Sequence, residues 1–326
     1  MYIVGTAYRY NFGSMVLIYF KGFFIGNENL FITKFEYSHL ILYFFMKAIS
    51  SFYLLILLLI VFDGSAQQKS KITDEWKLGV AMYTFHTVSF PEAIDKVDSA
   101  GIHLIEGMTF HRSGKALKDS AISQLSPSGI AQIKKIAENK KVEIGSVYIG
   151  GGKTVESWKK EFEIAKQLGA KFVTAEPPVN MWDSIDSLAG IYGLKVAIHE
   201  HWKGVSAYWH PDSVLAAIKD HPNFGACADL GHWPKSGIDP VEGVKKLKGH
   251  IMAIHLKDIA EFNNTKIQDV TVGTGVVNFP GVFEELKKQG FRGNIYIERD
   301  AETKPSNLPS VIETVKYYNK EVKKLK

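Results

Sequence analysis

The sequence holds one cysteine, Cys227, in 326 residues, which excludes a disulfide framework and a thiolate zinc site. Excess charge is also small: 39 lysines and arginines face 34 acidic residues, a net +5 with no basic stripe, so nothing supports nucleic-acid binding. No G-x-G-x-x-G turn follows the first apolar run of the folded part, and Gly150-Gly151-Gly152-Lys153 lacks P-loop spacing. Internal repeats and low-complexity segments are missing too. Cys227 stands in Phe224-Gly225-Ala226-Cys227-Ala228, which reads as a buried strand, and is expected to be a small core residue.

The N-terminal part has a different character. Met46-Lys47 opens a short positive stretch, Ile49 to Phe62 is apolar with serines interrupting it, and Gly64-Ser65-Ala66 supplies small residues for cleavage. This is the pattern of a secretory signal peptide over 46–66. Residues 1–45, rich in Phe, Tyr and Ile without capping or turn logic, read as an extension from a mis-chosen start codon. Residues 67–76 read as a linker and 77–326 as the folded domain. The mature protein is then expected in the periplasm or secreted, with no stable membrane span after cleavage. The alternative is an uncleaved anchor from Leu40 to Phe62, which Lys47 interrupts.

From Lys77 onward, short apolar runs alternate with amphipathic stretches, the signature of parallel strands joined by crossover helices. Expected strands are Leu78–Tyr83, Leu104–Met108, Glu143–Tyr148, Phe172–Ala175, Lys195–His199, Phe224–Ala228, Ile251–Leu256 and Asn294–Ile297. Val155, Trp158, Phe162, Ala165 and Leu168 share a helical face, as do Phe279, Val282, Phe283 and Leu286. Ala100-Gly101, Leu168-Gly169, Tyr192-Gly193 and Gln289-Gly290 are helix-stop signals just before strands. Eight such units without a long linker predict an α/β (β/α)8 TIM barrel, which takes about 250 residues. A doubly wound open sheet is the runner-up, disfavoured by the missing nucleotide turn. The loops Thr109 to Pro127 and Ile259 to Asn278 are long and fall on the face that carries function in such barrels.

The strand ends carry the chemistry. They read Thr174-Ala175-Glu176, His199-Glu200-His201-Trp202, Asp229-Leu230-Gly231-His232-Trp233, His255-Leu256-Lys257-Asp258 and Glu298-Arg299-Asp300. Any one of these is ordinary for a solvated loop, but carboxylates and imidazoles after five consecutive strands point to one divalent metal. Without thiolate, the ligand types suit manganese or zinc first, with magnesium, cobalt or iron compatible.

These strand ends resemble the xylose isomerase-like barrel superfamily, the sugar phosphate isomerase/epimerase group that includes ketose 3-epimerases, inosose dehydratases and endonuclease IV. The resemblance runs from about Leu78 to Glu321. It rests on Ala228-Asp229-Leu230-Gly231-His232, Ile254-His255-Leu256-Lys257-Asp258, Val272-Gly273-Thr274-Gly275-Val276-Val277-Asn278-Phe279 and Tyr296-Ile297-Glu298. It implies metal ligands at Glu176, Asp229, His255 and Glu298, and a substrate-contacting histidine at His232. The third segment resembles the family's loop that closes over the site. His199-Glu200-His201 departs from the epimerase pattern, which makes His201 a candidate extra ligand or substrate contact and His199 an inward-packed residue. A trinuclear endonuclease needs more ligands than are present.

The resemblance implies a proton-transfer mechanism. A divalent ion chelated by adjacent carbonyl and hydroxyl oxygens acidifies the neighbouring C–H and stabilises an enediolate. Glu176 and Glu298, on opposite sides of the substrate carbon, are then the catalytic pair. Proton return on the opposite face gives an epimer, return at the next carbon an isomer, and loss of a β-substituent a dehydratase or lyase acting on a 3-keto-sugar or glycoside. Lys257, Trp202, Trp233 and Glu106 are further candidates for substrate contact. The expected partner is a small carbohydrate, unphosphorylated because exported enzymes seldom meet sugar phosphates. A homo-oligomer is compatible with this reading. The reading from another class is a non-catalytic carbohydrate-binding protein with a structural metal.

Overall fold

In a computed structural model of the protein, residues 2–12, 15–25 and 71–325 are described. Tyr2–Phe12 and Met15–Ile25 pair antiparallel, from Tyr2 opposite Ile25 to Phe12 opposite Met15. The sequence reading gave this stretch no element, although its aromatic and β-branched content favours extended chain. The expected signal peptide over 46–66 lies outside the described residues. Among the described residues no helix is long and apolar enough to cross a membrane.

Eight parallel strands form a closed barrel in chain order: β1 (Lys77–Ala81), β2 (Leu104–Met108), β3 (Glu143–Tyr148), β4 (Phe172–Ala175), β5 (Lys195–Ile198), β6 (Phe224–Asp229), β7 (Ile251–Leu256) and β8 (Asn294–Ile297). β8 closes on β1 through Asn294–Lys77 to Ile297–Val80. Each strand is followed by a helix: α1 (Phe90–Ser99), α2 (Pro127–Asn139), α3 (Val155–Leu168), α4 (Trp182–Tyr192), α5 (Pro211–Ile218), α6 (Pro240–Lys246), α7 (Phe279–Gln289) and α8 (Leu308–Lys324). This is a (β/α)8 TIM barrel.

Local chemistry explains the boundaries. Ser89 and Glu92 cap α1 reciprocally, and Ser126 and Thr154 accept N–H bonds at the starts of α2 and α3. The glycines expected to stop helices, Gly101, Gly169, Gly193 and Gly290, all have φ between +64° and +87°. Trp158, Phe162, Ala165 and Leu168 bury one face of α3 against the barrel, each large side chain contributing about 1.5–3 kcal/mol. Val155, expected on that face, is exposed instead, at the first residue of the helix. β1 ends two residues earlier than expected, since Met82–Phe85 winds into a 3-10 turn and carries Tyr83 onto the rim.

The long loop after β2 is tied down by His111. Its buried ring sits edge-on to Phe90, 5.8 Å between centroids, and Nε2 donates to the Val88 carbonyl at 2.9 Å. Burial, only partly offset by that bond, lowers its pKa from 6.5 to about 4. The folded protein therefore binds fewer protons than the unfolded chain between those values. The neutral ring's full contribution is present above pH 6.5 and is lost as pH falls toward 4, a total of about 3 kcal/mol. Urea melts at pH 7 and 4.5 check this: His111→Gln should flatten the acid slope, and parallel wild-type and variant profiles would remove His111 as its cause.

Candidate metal centre and active site

Strand register explains why the chemistry collects at one end. Side chains alternate across a strand, so residues two apart share the barrel interior. The inner apolar cluster includes Leu104, Phe172, Ala197, Cys227, Ala253 and Tyr296. Two residues further along the same strands stand Glu106, Thr174, His199, Asp229, His255 and Glu298. Each of these strands thus seats an apolar side chain below and a polar one above. Cys227 is a buried member of the apolar layer, its thiol pushed up to about 12 by burial.

His199, Asp229, His255 and Glu298 are all buried, with one donor atom from each lying within 4.8 Å of the others. Asp229 and His255 are register partners on β6 and β7. Glu298 follows β8 directly, its N–H bonded to Leu256 O at 3.1 Å. His255 Nδ1 is 2.8 Å from Glu298 Oε2 and 3.7 Å from Asp229 Oδ2. Asp229 Oδ1 accepts the Gly231 and His232 N–H groups at 2.9 Å, whereas Oδ2 has no aligned hydrogen-bond donor and lies 3.2 Å from the Lys257 ammonium. His199 is buried with neither ring nitrogen hydrogen-bonded, and Nε2 lies 3.5 Å from Asp229 Oδ2. Buried polar atoms left this way cost about 1–3 kcal/mol each. Carboxylate and imidazole donors converging with spare lone pairs fit a divalent metal.

Glu176 is grouped elsewhere. Oε1 is bonded to His201 Nδ1, Oε2 accepts from Ser206 Oγ, and His199 Nδ1 is 3.8 Å from Oε1. Glu176, His199 and His201 form a second group of donors, so His199 belongs to both. Burial pushes the Glu176 pKa up, but His199 and His201 outweigh it and hold the carboxyl at about 2. Glu298 also sits at about 2: burial opposes ionisation, and His255 and Lys257 overcome it.

Lys257 is the buried cation of the site, 1% exposed. Nζ donates to Asp300 at 2.8 and 2.9 Å and to His232 Nε2 at 3.0 Å, and lies 3.1 Å from Glu298 Oε2 and 3.2 Å from Asp229 Oδ2. Burial disfavours the ammonium, yet Asp229, Asp300 and Glu298 hold its pKa well above the ordinary lysine value. Gly231 makes the room: a Cβ there would stand 2.5 Å from Lys257 Cγ. Burial drives the His232 pKa well down, so it is a neutral acceptor beside Lys257.

The expected substrate contacts divide. Trp202 lines a cavity of about 430 Å3 at the rim, with Lys257, Glu298 and His201. Glu106 also borders it, but both oxygens are turned to protein: Oε1 accepts from Thr174 and, at 3.0 Å, from Ser146, while Oε2 is 2.8 Å from His255 Nε2. Such a carboxylate fixes the orientation of His255, as expected for the outer partner of a metal-ligating imidazole. Trp233 is corrected. Its ring is 0% exposed and packs over Gly243, where a Cβ would stand 2.7 Å away, so it offers no face to a ligand. Tyr83, Phe110, Tyr148, His199 and Asp300 line the cavity without having been singled out as site residues.

The 272–279 loop, expected to close over the site, does not line this cavity. Asp258 binds it from beneath, accepting N–H bonds from Gly273, Gly275 and Val277 at 2.8–3.1 Å as well as from Ile259. A Cβ on Gly275 would lie 2.2 Å from Ile259 O and 2.4 Å from Asp258 Oδ1. Gly275→Ala is therefore expected to cost about 1–3 kcal/mol in a urea melt. A loss below half a kcal/mol would mean the loop can shift freely.

The rim geometry is that of a barrel enzyme with a carboxylate–imidazole cup at the C-terminal ends of its strands. The Xylose isomerase-like TIM barrel family model matches residues 94–322, and the chain belongs to that family. The crystal structure of an uncharacterized Parabacteroides distasonis ATCC 8503 protein is 32% identical with a TM-score of 0.61, covering 76% of this chain and 99% of that one. The inosose dehydratase of Clostridium botulinum (strain Alaska E43) is 25% identical over 238 residues, 58% of this chain and 79% of that protein. An IolI protein crystallised with a zinc atom shares the fold, with a TM-score of 0.64 at 18% identity over 76% of this chain and 98% of that one.

Proposed function

We propose that the protein is a metal-dependent isomerase or epimerase of an unphosphorylated sugar or keto-sugar, acting by proton transfer at a carbon next to a carbonyl. The observation that carries the proposal is the placement of Glu176 just past β4 and Glu298 just past β8. In a closed eight-stranded barrel these strands are four apart in either direction, so the two carboxylates rise from opposite walls. Both hold their pKa at about 2 and are ionised at neutral pH. A site that only bound sugar would need no such pair.

His199, Asp229, His255 and Glu298 would hold the ion, with Glu176 beside His199, 3.8 Å from its Nδ1, and across the barrel from Glu298. A bound divalent ion would polarise substrate oxygens and acidify the adjacent C–H, which carboxylates this acidic could not deprotonate unaided. Glu298 takes the proton from one face, and on the other face Glu176, after taking up a proton from solvent, returns one through His201, which lines the cavity and is bonded to Glu176 Oε1, giving an epimer. Return to the neighbouring carbon gives an isomer. Lys257 Nζ, 3.1 Å from Glu298 Oε2, balances negative charge developing at the floor. The cavity's charged lining supports an uncharged substrate: besides the histidines it is Glu106, Glu298, Asp300 and Lys257, and the lysine is already paired with Asp300. The secretory leader read over 46–66 favours the same substrate class.

A second reading, dehydration, is favoured by the similarity to the inosose dehydratase. It starts with the same proton abstraction and ends with loss of a β-hydroxyl. The test is incubation of sugars and 3-keto-sugars with metal-loaded protein in D2O, followed by NMR. Deuterium entry beside a carbonyl with an epimer or isomer as product is expected. Deuterium entry with an unsaturated product selects dehydration, and no exchange or product across the panel overturns both.

A further inference from the structure

The mouth of the cavity is richer in aromatic side chains than its floor. The buried lining carries His199, Lys257 and Glu298 beside Met82 and Met108, while the more exposed lining carries Tyr83, Phe110, Tyr148 and Trp202 beside His201 and Asp300. Tyr83 is 37% exposed and Phe110 44% exposed, and both line the cavity. Neither is loose. Tyr83 stacks on His86 with 4.3 Å between centroids, and Phe110 meets Tyr148 edge-on at 6.0 Å. Trp202 has the Lys235 ammonium 4.4 Å over its ring. Each is held by a protein partner while still lining the cavity, so little ordering cost remains for a ligand to meet.

Their positions in the barrel form two walls. Tyr83 follows β1 and Phe110 follows β2, whereas Trp202 lies beyond β5, four strands from β1 in a closed barrel of eight. Anything extending outward from a sugar on the floor passes between Tyr83 and Phe110 on one side and Trp202 on the other. The volume of about 430 Å3 exceeds the lower end, about 300 Å3, of pockets that hold small ligands.

We infer that the substrate is a glycoside of a keto-sugar rather than a free monosaccharide: the keto-sugar ring that reacts occupies the floor, and the ring of its aglycone is held between Tyr83, Phe110 and Trp202. This rests on the sugar-enzyme reading above and adds a second subsite to it. Ring faces recognise apolar and aromatic surface, so the subsite selects an aglycone presenting such a face and gains nothing from a methyl group.

The test compares methyl and 4-nitrophenyl 3-keto-glycosides of several hexoses and pentoses, bound to the metal-loaded full chain and measured by calorimetry. The aryl glycoside of the accepted sugar is expected to bind about tenfold tighter than its methyl counterpart. In Tyr83→Ala/Phe110→Ala that ratio should fall to near one, and in Trp202→Ala it should fall as well. Phe262→Ala, an exposed aromatic that does not line the cavity, should keep it. Thermal melts check that each variant is folded; should Trp202→Ala not fold, Trp202→Phe with a partly reduced ratio replaces it. Equal binding of methyl and aryl forms, or a preference that survives the rim substitutions, overturns the subsite and leaves the sugar-enzyme reading standing. Failure of every glycoside and free sugar to bind overturns both.

Discussion

Glu298→Gln is expected to lower turnover about a thousandfold while the barrel stays folded. Glutamine keeps the shape and one oxygen at the position where Glu298 faces His255 Nδ1 at 2.8 Å and Lys257 at 3.1 Å. Lys257 also keeps Asp229 and Asp300 as partners. The structural cost is then about 1–2 kcal/mol, that of one weakened buried polar contact. What glutamine cannot do is accept a proton, so deuterium entry beside the carbonyl should vanish along with product. Glu176→Gln separates the two roles. With Glu298 intact, exchange of the acidified proton should continue while epimer formation stops. Full turnover in Glu298→Gln would remove it as the base, and loss of exchange in Glu176→Gln alone would interchange the assignments.

Much of this was legible because the barrel repeats a simple rule. Apolar runs bounded by glycine located β2, β3, β4, β7 and β8 residue for residue, since short buried strands leave little freedom at their ends. The polar layer follows from counting by two: Leu104 to Glu106, Ala197 to His199, Ala253 to His255. His199 was therefore readable as inward-facing. Its unbonded nitrogens, and its place between Glu176 and the other donors, depend on three other strands and were not readable. Tyr83 was hidden for a local reason, because an apolar run through Met82 and Tyr83 looks like continuing strand where the chain winds a 3-10 turn. The fate of Trp233 is decided by Gly243 on a different helix, and the course of the 272–279 loop by Asp258, up to nineteen residues away. Long-range contacts of that kind leave no periodic mark in the chain.

Lys257→Met is expected to destabilise the metal-free protein by about 3–5 kcal/mol, the usual cost of removing one partner from a buried ion cluster. Methionine fills the channel that Gly231 opens but brings no charge. Asp229, almost fully buried, and Glu298 then keep only the His255 imidazole between them, and Asp300 loses its two short bonds. The same carboxylates are the proposed metal ligands, so a divalent ion would replace the compensation that the lysine provided. Urea unfolding with and without manganese or zinc should therefore show a larger metal-induced gain in the variant than in the wild type. A ligand at a hundred times its Kd returns about 2.7 kcal/mol, enough to recover most of the deficit. Equal metal-induced gains in the two proteins would show that Lys257 and the ion do not neutralise the same carboxylates, and would place the ion outside the His199, Asp229, His255 and Glu298 group.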